Sequence, residues 1–376
     1  MNRIILSLAL LASALCAANA DETAPVRYVP ATDLRIINRG YDNADGPYKR
    51  IPAAYKDSVR PDTWQRLQCS SGIGVRFATD SRQIGVKYRL TFNTHMIHMA
   101  DTGLKGTDLY IWEGDSVWRH VNTNRPYVKD KEAKITEATY VENLDGKMHD
   151  YMVYLPLYDG VEELWIKIDS AATITAGTPE LINPRKRIVA YGTSILQGGC
   201  ASRTGMASTN IISRELNCEV INIGMSGEGK MDSIMARAIT RIPDVDLYLI
   251  DPVPNCTEMM CDTLTYGFID IIRKARPEAE IVMLEGPIYP YARYNSFFGN
   301  YLPKKNAAFR RNYERLAADA EHPERLHYVT SEGLDGPEDD GTVDGIHLTD
   351  LGFLHYANKL IPVLRPLLYK DSTPVK

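Results

Sequence analysis

The chain has 376 residues, 44% hydrophobic and 24% charged, a balance that excludes a disordered polypeptide and leaves room for two domains of ordinary size. Its net charge of -5, with no run of Lys and Arg, argues against a nucleic-acid binder. Tyrosines outnumber phenylalanines 22 to 7, a bias that suits wet, polar-rimmed surfaces such as carbohydrate or peptide sites.

In chain order, residues 1–20 have the pattern of a signal peptide. Arg3 supplies the positive start, Ile4 to Leu15 form an apolar run too short to span a bilayer, and Ala18-Asn19-Ala20 fits small-x-small cleavage. The expectation is an exported chain beginning at Asp21, periplasmic or secreted, with no membrane insertion. Lipid anchoring at Cys16 is the alternative, disfavoured by the bulk of Leu15 before it. Export permits disulfides, and five cysteines follow the leader: Cys69, Cys200, Cys218, Cys256 and Cys261. A Cys200–Cys256 bridge and buried unpaired thiols are both open. No Cys/His spacing resembles a zinc site, so neither metal nor cofactor is expected.

Residues 21–180 are expected to form an all-β domain. After an extended lead-in to about residue 60, alternating apolar and polar residues mark strands at Gly74–Phe77, Gln83–Leu90, Leu109–Trp112, Ser116–Val121, Asp150–Leu155 and Val161–Ile168. Short strands with regular turns and no helix indicate a β-sandwich of jelly-roll type. Trp112 and Trp118 are expected in its core. Pro179 and Pro184 break the linker.

Residues 185–376 alternate strands with helices. Strands are expected at Ile188–Tyr191, Glu219–Ile223, Asp246–Ile250, Ala279–Leu284 and Leu326–Val329. Helices are expected at Gly205–Leu216, Lys230–Ile239, Met259–Ala275 and Lys304–Ala320, with a last one at Leu351–Leu368 interrupted near Pro362. Parallel strands need crossover helices, so this half reads as a doubly wound α/β/α sandwich.

Ligands of such sheets bind outside the carboxyl ends of the strands. Four residue sets fall on that rim: Ser194, Asn222-Ile-Gly-Met-Ser-Gly227, Pro254-Asn255 and Asp344-Gly-Ile-His347. Each has a role in ester hydrolysis. Ser194 would attack, His347 would take its proton, and Asp344 would fix the imidazole tautomer. The N–H groups of Ser194 and Gly227 and the Asn255 amide would hold the oxyanion. Singly, each set has a plainer reading: a loop serine, turn glycines, a helix cap, one more charge in an acidic loop. The order Ser, Gly, Asn, Asp-x-x-His outweighs them.

That order resembles the SGNH (GDSL-type) hydrolase superfamily. Gly192-Thr-Ser-Ile195 is similar to its first block, with Thr in place of Asp. Pro254-Asn255-Cys256 is the least regular block, lacking the usual Asp after Asn. Gly106-Thr-Asp-Leu-Tyr110 is similar to the Gly-x-Asp-Leu-Tyr signature of a β-sandwich domain that precedes SGNH domains in exported bacterial esterases. The resemblance implies a serine esterase, most often a carbohydrate acetylesterase, with an acetylated oligo- or polysaccharide as substrate and no cofactor. The rival expectations are an esterase or lipase of other acyl esters and a carbohydrate-binding protein with an inactive hydrolase domain. Arg203 either lines the pocket rim or pairs with a nearby carboxylate. Tyr289 and Tyr291, in the aromatic stretch Pro287–Tyr301, either face a sugar or pack the loop. His95 and His98 either face the cleft or lie idle in a sandwich loop. The oligomeric state is not readable.

Overall fold

The computed structural model describes residues 25–42, 46–114, 117–182 and 186–369. The expected leader 1–20, with Cys16, lies outside them.

Among the described residues, ten strands build the N-terminal half: β1 (Val26–Pro30), β2 (Arg35–Ile37), β3 (Gly74–Thr79), β4 (Ile84–Leu90), β5 (Asp108–Glu113), β6 (Val117–Thr123), β7 (Ile135–Val141), β8 (His149–Tyr154), β9 (Val161–Asp169) and β10 (Ile174–Thr175). They pair antiparallel in two sheets. One has the order β1-β9-β4-β7, the other β10-β3-β8-β5-β6, with β2 also on β3. Leaving aside the short β2 and β10, every strand leads to the opposite sheet except across the hairpin β5–β6, which is the winding of a jelly roll. The core between the sheets takes alternate residues from both: Val75, Phe77, Tyr151 and Val153 against Ile84, Val86, Ile166 and Ile168. Trp118 is buried, but Trp112 is only half-buried, and the two meet edge to face beside Tyr110 rather than in this core.

The lead-in to residue 60 is no passive extension. After β1 and β2 it bridges the two halves: Tyr48 stays in the jelly-roll core, while Ile51 and Val59, with Leu67 just beyond, join the second domain's core. Its one buried guanidinium, Arg50, donates to the carbonyls of Asn222 (3.2 Å), Gly224 (2.6 Å) and Cys69 (2.9 Å). No carboxylate is among these partners, and burial lowers the Arg50 pKa to about 10.

The C-terminal half is a five-stranded parallel sheet: β11 (Arg187–Gly192), β12 (Glu219–Gly224), β13 (Leu247–Asp251), β14 (Glu280–Leu284) and β15 (Leu326–Val329), in the order β12-β11-β13-β14-β15. Because both faces are covered, its strands are buried throughout. Ile188 and Ala190 face the helices 208–216 and 350–368, while Val189 and Tyr191 face the helices 233–239, 258–275 and 296–319. The strand order reverses between β11 and β13, so their carboxyl ends border the crevice where such folds bind ligands.

Helices differ from expectation in both halves. Pro61–Leu67 is helical in the half where no helix was expected, with Pro61 at its first position. The last runs unbroken from Asp350 to Leu368, because Pro362 and Pro366 both lie on its solvent face. The helix expected from Lys304 starts at Ser296: the Asn295 side chain accepts from the N–H groups of Phe297 and Phe298, and Pro303 is exposed. The last six residues of the aromatic stretch 287–301 are therefore helical. No helix among the described residues is long and apolar enough to cross a membrane.

Candidate active site

Strand β11 ends at Gly192, and Thr193 is the extended residue before a single helical turn, Ser194–Gln197. This places Ser194 at the edge of the crevice with its N–H at a helix start, where no intrahelical acceptor exists. Gly227 sits in the turn after β12 at φ +73°, a conformation that L side chains rarely adopt. Open space lies where a Cβ would stand. Asn255 follows β13 in a 3-10 turn, and its side-chain amide donates to the Met225 carbonyl at 3.2 Å. That bond uses one of two amide protons and leaves the other free to point elsewhere.

His347 closes the set. Its Nε2 lies 3.0 Å from Ser194 Oγ, and its Nδ1 lies 2.8 Å from Asp344 Oδ2. The carboxylate can only accept, so the proton resides on Nδ1 and Nε2 is left to accept from the serine hydroxyl. The other Asp344 oxygen takes the N–H groups of Ile346 (3.0 Å) and His347 (2.8 Å). Burial alone would push this carboxyl up, but the hydrogen bonds from the His347 ring and backbone prevail and hold it below its ordinary value. The turn between them needs Gly345 at φ +85°, packed on the ring of Tyr291. Ser194, His347 and Asp344 thus meet in direct contact, an arrangement able to activate a hydroxyl, while Gly227 and Asn255 stand in the turns after β12 and β13, with Asn255 tied to the loop that carries Gly227.

The other expected residues lie differently. Arg203 donates to Asp108 (2.8 Å) and to the Tyr110 hydroxyl (2.6 Å). Asp108, fully buried, also accepts from the Gly205 N–H (2.8 Å) and the Thr123 hydroxyl (2.9 Å). The Asp and Tyr of the Gly-x-Asp-Leu-Tyr stretch therefore clasp the loop after Ser194's helix, and of Arg203's two readings the structure displays the carboxylate pair. Tyr289 is buried, with Tyr291 stacked on it at 5.9 Å. Both pack beneath the Asp344–His347 turn, while Tyr294 and Phe297 are the exposed rings of this stretch, at 87% and 64%. His95 pairs with Asp101 at 3.1 Å, whereas the His98 ring lies 5.6 Å from that of His347. All five described cysteines are free and buried, so the Cys200–Cys256 bridge is not formed. Cys256 instead interacts with Cys261, and Cys200 lies toward Asp344. Burial, with help from that carboxylate, pushes the Cys200 thiol up to about 12.

Sequence reasoning missed the residues that set this geometry. Gln197, fully buried, donates to the Leu157 carbonyl of the jelly roll at 3.0 Å and accepts the Ser226 N–H at 2.9 Å, next to Gly227. Asn222 ties the Leu196 carbonyl (2.8 Å) to the Gly224 N–H (2.8 Å). The Tyr158 hydroxyl donates to the Ser194 carbonyl at 3.1 Å. Only Asn222 carried a local signal, by standing in the Asn222–Gly227 block.

A parallel sheet with a Ser–His–Asp contact chain at its switch point is the arrangement of a serine hydrolase. Residues 185–365 match the GDSL-like Lipase/Acylhydrolase family, and residues 26–174 match the N-terminus of Esterase_SGNH_hydro-type proteins. The chain belongs to the GDSL/SGNH hydrolases, carboxylic ester hydrolases, here with the Gly-x-Asp-Leu-Tyr domain in front. A solved structure from Bacteroides ovatus ATCC 8483, described as a GDSL-like lipase, is 29% identical with a TM-score of 0.84, over 91% of this chain and 98% of that one. A salicylyl-acyltransferase from a tetracycline biosynthetic pathway shares the fold at 18% identity and a TM-score of 0.68, over 89% and 95%. So does a family two carbohydrate esterase from Clostridium thermocellum, in complex with cellohexaose, at 14% and 0.55, over 78% and 92%. No curated protein matches the chain.

Proposed function

We propose that the protein is an exported serine esterase that removes O-acetyl groups from an oligo- or polysaccharide. The observation that carries the chemistry is the chain of contacts Asp344–His347–Ser194, with both outer distances at hydrogen-bond length. His347 Nε2 takes the Ser194 proton as Oγ attacks the ester carbonyl. The N–H groups of Ser194 and Gly227 and the free proton of the Asn255 amide receive the oxyanion. His347 then protonates the leaving sugar oxygen, and an acetyl-enzyme remains. Water enters, gives a proton to His347 and attacks the acetyl carbon; the bond to Ser194 Oγ breaks, Oγ takes the proton back from His347, and acetate leaves.

The sugar reading is supported by the exposed rings of Tyr294 and Phe297 on the segment that packs beneath His347, and by a fold shared with a carbohydrate esterase. Export is supported by the leader-like residues 1–20. Ser194→Ala should abolish hydrolysis of p-nitrophenyl acetate and release of acetate from acetylated glycans. Full activity in that variant refutes the assignment, and faster turnover of octanoyl than acetyl esters refutes the acetyl preference.

A further inference from the structure

Three potential metal ligands from distant parts of the chain converge at the mouth of the candidate active site. The ring nitrogens of His98 and His347 and the Cys200 sulfur offer one ligand atom each, all within 4.8 Å of one another. His98 comes from the jelly-roll loop before Asp101. Cys200 follows the helical turn of Ser194, and its N–H donates to the Leu348 carbonyl. His347 comes from the loop before the last helix. Two imidazoles and a thiolate are a ligand set that zinc prefers, and a fourth position would stay open to water.

We propose that His98, Cys200 and His347 form a binding site for Zn²⁺, and that the bound ion switches the esterase off. Zinc–nitrogen and zinc–sulfur bonds of roughly 2.0 and 2.3 Å require ligand atoms about 3.5 Å apart. The set must therefore contract by about 1 Å. His98 is exposed on a loop, so it is the ligand able to move. Nδ1 of His347 is engaged by Asp344, so Nε2 is the nitrogen available to the ion. Asp344 then orients and polarises a metal-bound imidazole, an outer-shell arrangement common to zinc-binding histidines. Cys200 binds as thiolate and its proton passes to solvent. The lone pair that would accept the Ser194 proton is then held by the ion. Binding needs nothing from the esterase reading; inhibition rests on it.

Two measurements separate these parts. Titrating the full chain with Co²⁺, a spectroscopic stand-in for Zn²⁺, should give a thiolate-to-cobalt charge-transfer band, absent in Cys200→Ser and weakened in His98→Gln. Micromolar ZnCl₂ should inhibit p-nitrophenyl acetate hydrolysis, and EDTA should restore it. In His98→Gln and Cys200→Ser, basal activity should persist and the inhibitory zinc concentration should rise by on the order of tenfold or more. Absence of the cobalt band in the parent protein overturns the site. Equal zinc sensitivity in parent and both variants overturns the switch. A cobalt band in a protein without esterase activity refutes the esterase reading and leaves the site standing.

Discussion

Asp251→Asn should flatten the pH dependence of stability. Asp251 ends β13, fully buried. Its Oδ2 accepts from the Tyr356 hydroxyl at 2.7 Å, while Oδ1 has no hydrogen-bond partner. Burial pushes this carboxyl up to about 8, against the opposing effect of the Tyr356 bond. The folded protein therefore keeps a proton that the unfolded chain has already lost. The stability this group contributes is complete below 3.8, the ordinary value, and is lost as pH rises through about 8. Within that window the loss is about 1.4 kcal/mol per pH unit, or about 2.7 kcal/mol between about pH 5 and 7. The slope holds for any folded pKa above the window measured. Urea unfolding of parent and variant across that range gives the difference directly, and any fixed cost of burying the amide drops out of it. Parallel curves would refute the reasoning, showing that Asp251 is ionised in the folded protein or that its burial is not what raises it.

Asn255→Ala removes the side-chain donor and should lower kcat by about 10²–10³ with little change in KM, measured on p-nitrophenyl acetate; an unchanged kcat would take Asn255 out of the oxyanion site. Arg203→Met leaves Asp108 buried without its cation. Breaking a buried pair costs roughly 3–5 kcal/mol, and the partial exposure of Arg203 reduces this to about 2–3 kcal/mol. A double-mutant cycle with Asp108→Asn should show coupling, and additive losses in urea unfolding would refute the clasp.

The site was legible because its residues stand in short local motifs, each at a strand end. Ser194, Gly227, Asn255 and the Asp344–His347 pair needed only strand positions and the rule that ligands lie at carboxyl ends. The parallel strands were legible for a related reason: a strand buried on both faces is a continuous apolar run, as in Leu247–Ile250. What failed was long-range. Strand β7 carries Glu137 and Thr139 among its apolar residues and pairs only at the sheet edge, so no alternation announced it. The unbroken last helix depends on which face its prolines occupy, which only packing decides. Arg50 and Gln197 act through backbone groups, and a backbone group has no sequence signature. His98 and Cys200 are metal-like only after folding, since no spacing rule links residues on separate domains. Of the two readings left open for the cysteines, the structure holds buried unpaired thiols, a choice that spacing along the chain does not make.

The Arg50 anchor bears on the order of events during synthesis. Its partner carbonyl at Asn222 lies 172 residues further along, so the lead-in can dock only after more than half the chain has left the ribosome. Closing so long a loop adds little to the equilibrium cost, which grows only as the logarithm of its length. It does delay folding, because a non-local contact is rewarded last. The jelly roll's own sheets lie wholly within residues 26–175, so they can assemble earlier while residues 38–67 wait as a tether. The two halves are therefore a poor pair for recombination. A graft that keeps the jelly roll but exchanges its partner domain would leave a buried guanidinium without two of its acceptors, the carbonyls of Asn222 and Gly224.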